Sequence, residues 1–303
     1  MRVTAVVPTW QRPELLRQCL DGVIAQNPPA DEILVVARSD DTETLKVIEA
    51  IAAAQDRVRW VEVTEPGHVP PVRMGLAAAT GDLVAFIDDD AQPRAGWLRA
   101  LAAPFADPKV ACVGGLVDTP GTVGVVHPDA GRIRWYGKHI GNIGLVHADA
   151  PFEVDGVLEG NSMWRVEVLR SLEFLEALAA EDAPLYGLDL CLQAKARAWK
   201  VVYTSDAAVR HTPGPRPGDS IDRSDRVRTT RSYSRNMTLI GLRHLHGFRR
   251  VAFAGWWWLV GERASYGLAT ALVDGTRGAL AWGSVSAGFA GKAEGVRAWL
   301  RTR

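Results

Sequence analysis

GDLVAFIDDDAQP, residues 81–93, decides how the rest of the sequence is read. Its first half is a short apolar run of the kind that forms a strand buried on both faces. The run ends abruptly in Asp88, Asp89 and Asp90. Adjacent carboxylates repel one another and aspartate is a poor strand residue, so the triplet belongs just beyond a strand's carboxyl end. One reading is a solvated turn, because aspartate forms turns readily. The other is a cation site. Hard oxygen ligands suit Mg2+ or Mn2+, which usually bind through one or two carboxylates plus substrate phosphates.

Upstream of the triplet, strands and helices alternate. Arg2–Pro8, Glu32–Ala37, Val58–Val63 and Asp82–Ile87 read as strands, and Pro13–Ala25, Asp41–Ala54 and Val72–Ala79 as helices. Leu16, Leu20, Val23 and Ile24 keep one helical stripe, and Pro13 suits a first turn. This alternation implies βαβ units and a mainly parallel sheet flanked by helices, an α/β fold. Such sheets bind ligands at the carboxyl ends of their strands. Pro8-Thr9, Arg38–Asp41 and Asp88–Asp90 all fall at those ends, so three polar clusters converge on one edge.

From Pro108 the pattern is less regular: Val110–Val117, a Gly-rich stretch to Gly144, Gly156–Met163, a helix at Leu188–Ala198 and a strand at Lys200–Tyr203. Thr212–Asp219 reads as a linker. Beyond it, Arg223–Leu245, Val251–Val273 and Gly288–Arg301 read as helices. The expected organisation is a catalytic domain over 1–211, with halves 1–107 and 108–211, and a helical C-terminal extension over 212–303.

Of 303 residues, 47% are hydrophobic and 23% charged, enough to build a core without disulfides. Cys19, Cys112 and Cys191 are widely spaced, as buried free thiols would be. The first strand starts at once, with no signal-peptide anatomy, so a cytoplasmic protein is expected, at most peripheral at the inner face of a membrane. Zero net charge hides an asymmetry: residues 210–303 hold 16 Lys or Arg and 6 Asp or Glu, leaving 19 and 29 before them. The basic tail also holds Trp256, Trp257 and Trp258 beside Phe253, with Arg249 and Arg250 just before. Such a segment suits a membrane surface or a homodimer contact through 223–303, or a helix packed on the catalytic domain. Glu262 and Arg263 interrupt the run, so crossing a bilayer is not expected. No nucleic-acid-binding motif accompanies the charge.

Four ordered segments carry a family resemblance: VVPTWQRPELL at 6–16, GDLVAFIDDDAQP at 81–93, GNSMWRVEVL at 160–169 and LDLCLQAKARAWKVVYTSDAAVRH at 188–211. From about Val3 to His211 the sequence resembles the family 2 glycosyltransferases of the GT-A fold. The resemblance implies an inverting enzyme that moves a sugar from a nucleoside-diphosphate donor, UDP- or dTDP-linked, to an acceptor hydroxyl with Mg2+ or Mn2+. It implies that Pro8, Thr9 and Arg12 line the nucleotide pocket, with Arg38, Asp40 and Arg73 nearby. Asp88 and Asp90 then hold the metal, Asp89 faces the sugar or ribose, and His211 is a further ligand.

Two positions depart from the family pattern. Ala37 stands where relatives commonly have an aspartate that reads the base. Gly187 stands where the catalytic base is usual, which leaves Asp189 first and Asp182 second, with Glu181 or Glu159 as substitutes. Two other classes compete: a nucleotidyltransferase, disfavoured because PTWQRPELL is not a Gly- and basic-rich loop, and a non-catalytic sugar-nucleotide binder that has lost its base.

Overall fold

A computed structural model describes residues 1–122, 126–179, 184–214, 225–277 and 281–302. The apolar runs become strands: β1 (Val3–Pro8), β2 (Glu32–Ala37), β3 (Val58–Glu62) and β4 (Leu83–Ile87). Between them lie α1 (Pro13–Ile24), α2 (Thr42–Ala54) and α3 (Val69–Ala78). α1 shows why: Leu16, Cys19, Leu20 and Val23 share one stripe and are buried. Each buried leucine or valine contributes roughly 2 kcal/mol, enough to hold a helix that propensity alone leaves marginal.

Next come β5 (Ala91–Pro93), α4 (Trp97–Ala102), β6 (Val110–Asp118), β7 (Phe152–Glu153), β8 (Asn161–Arg165), α5 (Val166–Ser171), α6 (Tyr186–Ala196) and β9 (Lys200–His211). Among the described residues the strands form one nine-stranded mixed sheet in the order β3-β2-β1-β4-β8-β6-β9-β5, with β7 also paired to β9. β1 is parallel to both β2 and β4, and β2 to β3. The order reverses at β1, where β2 and β3 run off to one side and β4 lies on the other. A crevice opens at such a switch point, outside the carboxyl ends of the strands. Thr9, just past β1, and the aspartate triplet, just past β4, meet at that point.

β9 extends well past the four residues read from sequence. Ser205 and Asp206 interrupt its apolar pattern, yet the chain stays extended because its far end pairs with β5 (Ala91 opposite His211) and with β6 (Asp118 opposite Arg210). Asn161, fully buried, ties the middle of the sheet together. Its amide donates to Leu116 O (2.8 Å) and Ala207 O (2.9 Å), and its carbonyl accepts from Trp97 Nε1 (2.8 Å).

The chain divides into two compact units. The first comprises Met1–Arg132, Ile140–Phe174 and Leu190–Pro217; the second comprises Ile133–His139, Leu175–Asp189 and Gly218–Arg303. In the second, α7 (Arg226–His244) packs along α10 (Trp282–Arg301). Gly291 and Gly295 of α10 face the Arg231 and Arg235 carbonyls so closely that any side chain there would collide. Val251–Val273, read as one helix, is a correction. It is α8 (Gly247–Gly255), a π turn (Trp256–Val260), a hairpin of β10 (Gly261–Glu262) and β11 (Ser265–Tyr266), and α9 (Leu268–Thr276). The break falls at Gly261, whose φ of 66° is left-handed and cheap only for glycine. The hairpin turn is then made by Arg263 and Ala264.

Candidate active site

β4 is buried along its whole length and delivers the triplet to the crevice. Asp88 stays exposed, while Asp89 and Asp90 are buried. A side chain at Gly160, in the turn before β8, would strike the Asp88 carboxylate, so the glycine makes room for that group. Asp89 turns toward the loop after β1: its Oδ2 accepts from Thr9 Oγ1 (2.8 Å) and its Oδ1 from Arg12 Nη1 (2.8 Å). The same Arg12 nitrogen reaches Asp90 Oδ2 at 3.0 Å. Thr9, Arg12, Asp89 and Asp90 are thereby brought together from residues some 80 positions apart in sequence.

His211, at the end of β9, places Nε2 3.3 Å from Asp90 Oδ1, and its Nδ1 lies 3.2 Å from Thr119 Oγ1. Thr119 therefore fixes the ring, a role that no pattern around it announces. Burial alone would raise Asp90, but the His211 hydrogen bond and charge, Arg12 and the Gly214 backbone N–H together hold its carboxyl below the usual range. Asp89 goes the other way. Burial pushes it to about 6 against the pull of Arg12, with the Asp90 charge adding to the push. Arg12 is raised: burial lowers it, and the charges of Asp89 and Asp90 more than offset that.

The neighbouring strand end is also ordered. Arg38 pairs with Asp40 (Nε to Oδ1, 3.0 Å) and lies over the Trp10 ring at 4.9 Å. Trp10 Nε1 is buried without a hydrogen-bond partner among the described residues. Asp41 caps α2 through Thr44 N (3.3 Å) and also accepts from Gln11 N, which holds Gln11 at a φ of 54°. Asp41 thus shapes the β1–α1 loop as well as a helix end. Pro8 closes β1 beside this loop, and Arg73 is exposed on α3.

Asp189 is in the second unit, in the first turn of α6, and is 1% exposed. His244 Nε2 lies 2.7 Å from its Oδ1, and Arg243 Nε 3.6 Å away. Sequence reasoning missed His244, 55 positions away. Asp182 and Glu181 lie outside the described residues.

Among the described residues, no three His, Cys, Asp or Glu side chains already form a metal cage. The donor set nonetheless fits a hard divalent cation. Asp90 is held ionised beside an imidazole, Asp88 is exposed, and Asp89 and Asp90 share the Arg12 guanidinium. Burial, with the Asp90 charge adding to it, is what pushes Asp89 upward. Mg2+ and Mn2+ commonly take few protein ligands and complete their shell with phosphates and water.

The architecture has known counterparts. Over 99% of its length the chain is similar to the mannosyltransferase PcManGT from Pyrobaculum calidifontis, solved with GDP-Man and Mn2+ (18% identity, 86% of that chain, TM-score 0.59). It is similar over 99% to S. aureus TarS 1–349 in complex with UDP-GlcNAc (15% identity, 89% of that chain, TM-score 0.62). At these identities the likeness establishes the fold alone, which is GT-A. The chain belongs to the glycosyltransferase like family 2, whose sequence profile matches residues 1–230. In sequence it is also similar to Glycosyltransferase AglE of Haloferax volcanii, 26% identical over 119 residues, 38% of this chain. The match spans only 39% of AglE.

Proposed function

We propose that the protein transfers a sugar from a nucleoside-diphosphate sugar to an acceptor hydroxyl, with inversion and with Mg2+ or Mn2+. The observation that carries this reading is the clustering of three carboxylates at the switch point, with Arg12 on Asp89 and Asp90, His211 on Asp90, and Asp88 exposed. Asp88, Asp90 and His211 would hold the cation, which when bound offsets charge on the departing diphosphate. Thr9 and Arg12 keep Asp89 turned inward, while Asp88 is exposed and Asp90 lies between Arg12 and His211. Trp10, Arg38 and Asp40 form the wall proposed to take the nucleotide base, with Pro8 at its edge and Arg73 nearby. Residues 1–107 then serve the donor and 108–211 the acceptor, with 212–303 as the extension. A UDP- or dTDP-sugar is the donor proposed, and GDP-mannose, present in the PcManGT complex, is the natural competitor.

The acceptor proton needs a base. Asp189 is the proposed carboxylate, with Asp182 second. Because Asp189 is almost wholly buried against His244, it acts as a pair with it. The imidazole takes the acceptor proton on Nδ1, while Asp189 orients the ring and stabilises the cation formed. The test is transfer from UDP-, dTDP- and GDP-sugars, with the product anomer read by NMR. Asp189→Asn and His244→Ala should lose transfer by orders of magnitude and keep donor binding. Retention of configuration, or transfer unaffected in both variants and in Asp182→Asn, would refute the mechanism.

A further inference from the structure

The second unit turns apolar side chains outward where a water-facing surface would show polar ones. In α9 the polarity is inverted. Leu268 and Leu272, one turn apart, are 60% and 70% exposed, whereas Asp274 is 4% exposed. Asp274 accepts from Tyr266 Oη (3.1 Å) and pairs with Arg263 (3.4 Å). The helical segment 247–260 repeats the theme. Phe253 and Trp257, four apart, are its buried face, stacked on each other. Phe248, Val251 and Leu259, at i, i+3 and i+11, fall on the opposite face and are 73%, 69% and 57% exposed. A helix apolar on both faces implies a second apolar neighbour. Thr270 Oγ1 donates to Val260 O at 2.9 Å, which fastens α9 to the end of that segment. Trp257, expected as part of the contact surface, belongs to the core, where its Nε1 donates to Thr238 Oγ1 (2.7 Å).

Charge on the same stretch has one sign. Arg249, Arg263 and Arg277 are exposed. Its two carboxylates are turned inward, Glu262 to the Tyr233 hydroxyl (2.8 Å) and Asp274 as described. Among the described residues no helix is long and apolar enough to cross a membrane.

We propose that this face, formed by Phe248, Val251, Leu259, Leu268 and Leu272 with their arginines, binds the surface of an anionic lipid bilayer. The apolar side chains enter the boundary of the acyl region and the guanidinium groups meet headgroup phosphates. A second copy fits less well, because isologous pairing would set arginine against arginine. This inference is independent of the donor reading.

The test is sedimentation of the full chain with phosphatidylcholine vesicles, with and without phosphatidylglycerol. The parent should bind the anionic vesicles, and rising salt should release it. Leu268→Asp with Leu272→Asp, and separately Phe248→Ser, should each weaken binding about tenfold or more. Arg249→Gln with Arg277→Gln should weaken it about tenfold and flatten the salt dependence. Unchanged melting temperatures and unchanged nucleotide binding separate lost docking from lost folding. The proposal fails if the parent stays with the supernatant, or if the variants bind as the parent does. It fails equally if the parent is a dimer that the leucine variants split while vesicles capture neither, since a second copy then owns the face. Capture dependent on an acidic protein but not on lipid would also overturn it.

Discussion

Lys292 in the second unit and Asp89 and Asp90 in the first are charge placed where water is scarce, and their surroundings differ. Lys292 is wholly buried, yet its ammonium donates to Trp257 O (2.5 Å) and Tyr266 O (2.7 Å) and lies 4.5 Å from the centre of the Trp257 ring. Its carbonyls and aromatic faces are all supplied by the fold. Among the aspartates, Arg12 holds Asp89 and Asp90, His211 also meets Asp90, Asp88 is exposed, and burial pushes Asp89 to about 6. A buried charge cradled by carbonyls and aromatic faces in the core is a structural device. Clustered carboxylates at the carboxyl edge of a sheet, one of them exposed, suit a cation that arrives from outside.

Breaking the first of these should cost function and spare the fold. Asp88→Ala, at an exposed carboxylate, is expected to lower turnover about a thousandfold with a melting temperature equal to the parent's, whereas Asp90→Ala loses turnover alike and also some stability, because Arg12 and His211 lose a partner. Steady-state kinetics beside calorimetry checks both halves. Breaking the second should do the reverse. Lys292→Met leaves two carbonyls without their donor and is expected to destabilise the protein by about 2 kcal/mol, with nucleotide affinity intact.

The same lysine sharpens the contrast through pH. Burial lowers it from 10.5 to about 8 in the folded chain. Between those values the unfolded chain binds more protons, so stability rises with pH across that window. The parent should gain up to roughly 3 kcal/mol relative to Lys292→Met between pH 8 and 10.5. Denaturant melts of both proteins across that range measure it. The smallest effect expected is at Asp41. Its replacement by alanine removes a helix cap worth about 1 kcal/mol and frees Gln11, and donor binding should weaken only a few-fold.

Much of the first unit was legible in the sequence because its parallel strands are buried on both faces. β1 to β4 are short apolar runs, each ended by polar residues, and the switch point follows from their alternation with helices. Thr9, Arg12, Asp88, Asp90 and His211 could be named on that basis and from the family resemblance. What escaped notice depends on contacts that pattern cannot carry. Thr119 sits in a stretch whose composition says nothing, although it orients His211. His244 meets Asp189 only through tertiary folding. Lys292, in a segment reading GKAEGVR, looks like a solvated lysine. Gly261 looked tolerable inside a helix until its left-handed φ broke Val251–Val273 into separate pieces. Inverted polarity in α9 was hidden too, because LATALVDGT reads as an ordinary helix until its buried side is known.

The central claim is that the aspartate run and His211 await a divalent cation that comes with a nucleoside diphosphate. Calorimetric titration of Mn2+ into the full chain, alone and with UDP, dTDP or GDP, tests it most directly. Weak binding alone, tighter binding with one of the nucleotides, and loss of both in Asp90→Ala are expected. Mn2+ bound equally well by the parent and Asp90→Ala, or sugar transfer at full rate in excess EDTA, would contradict it.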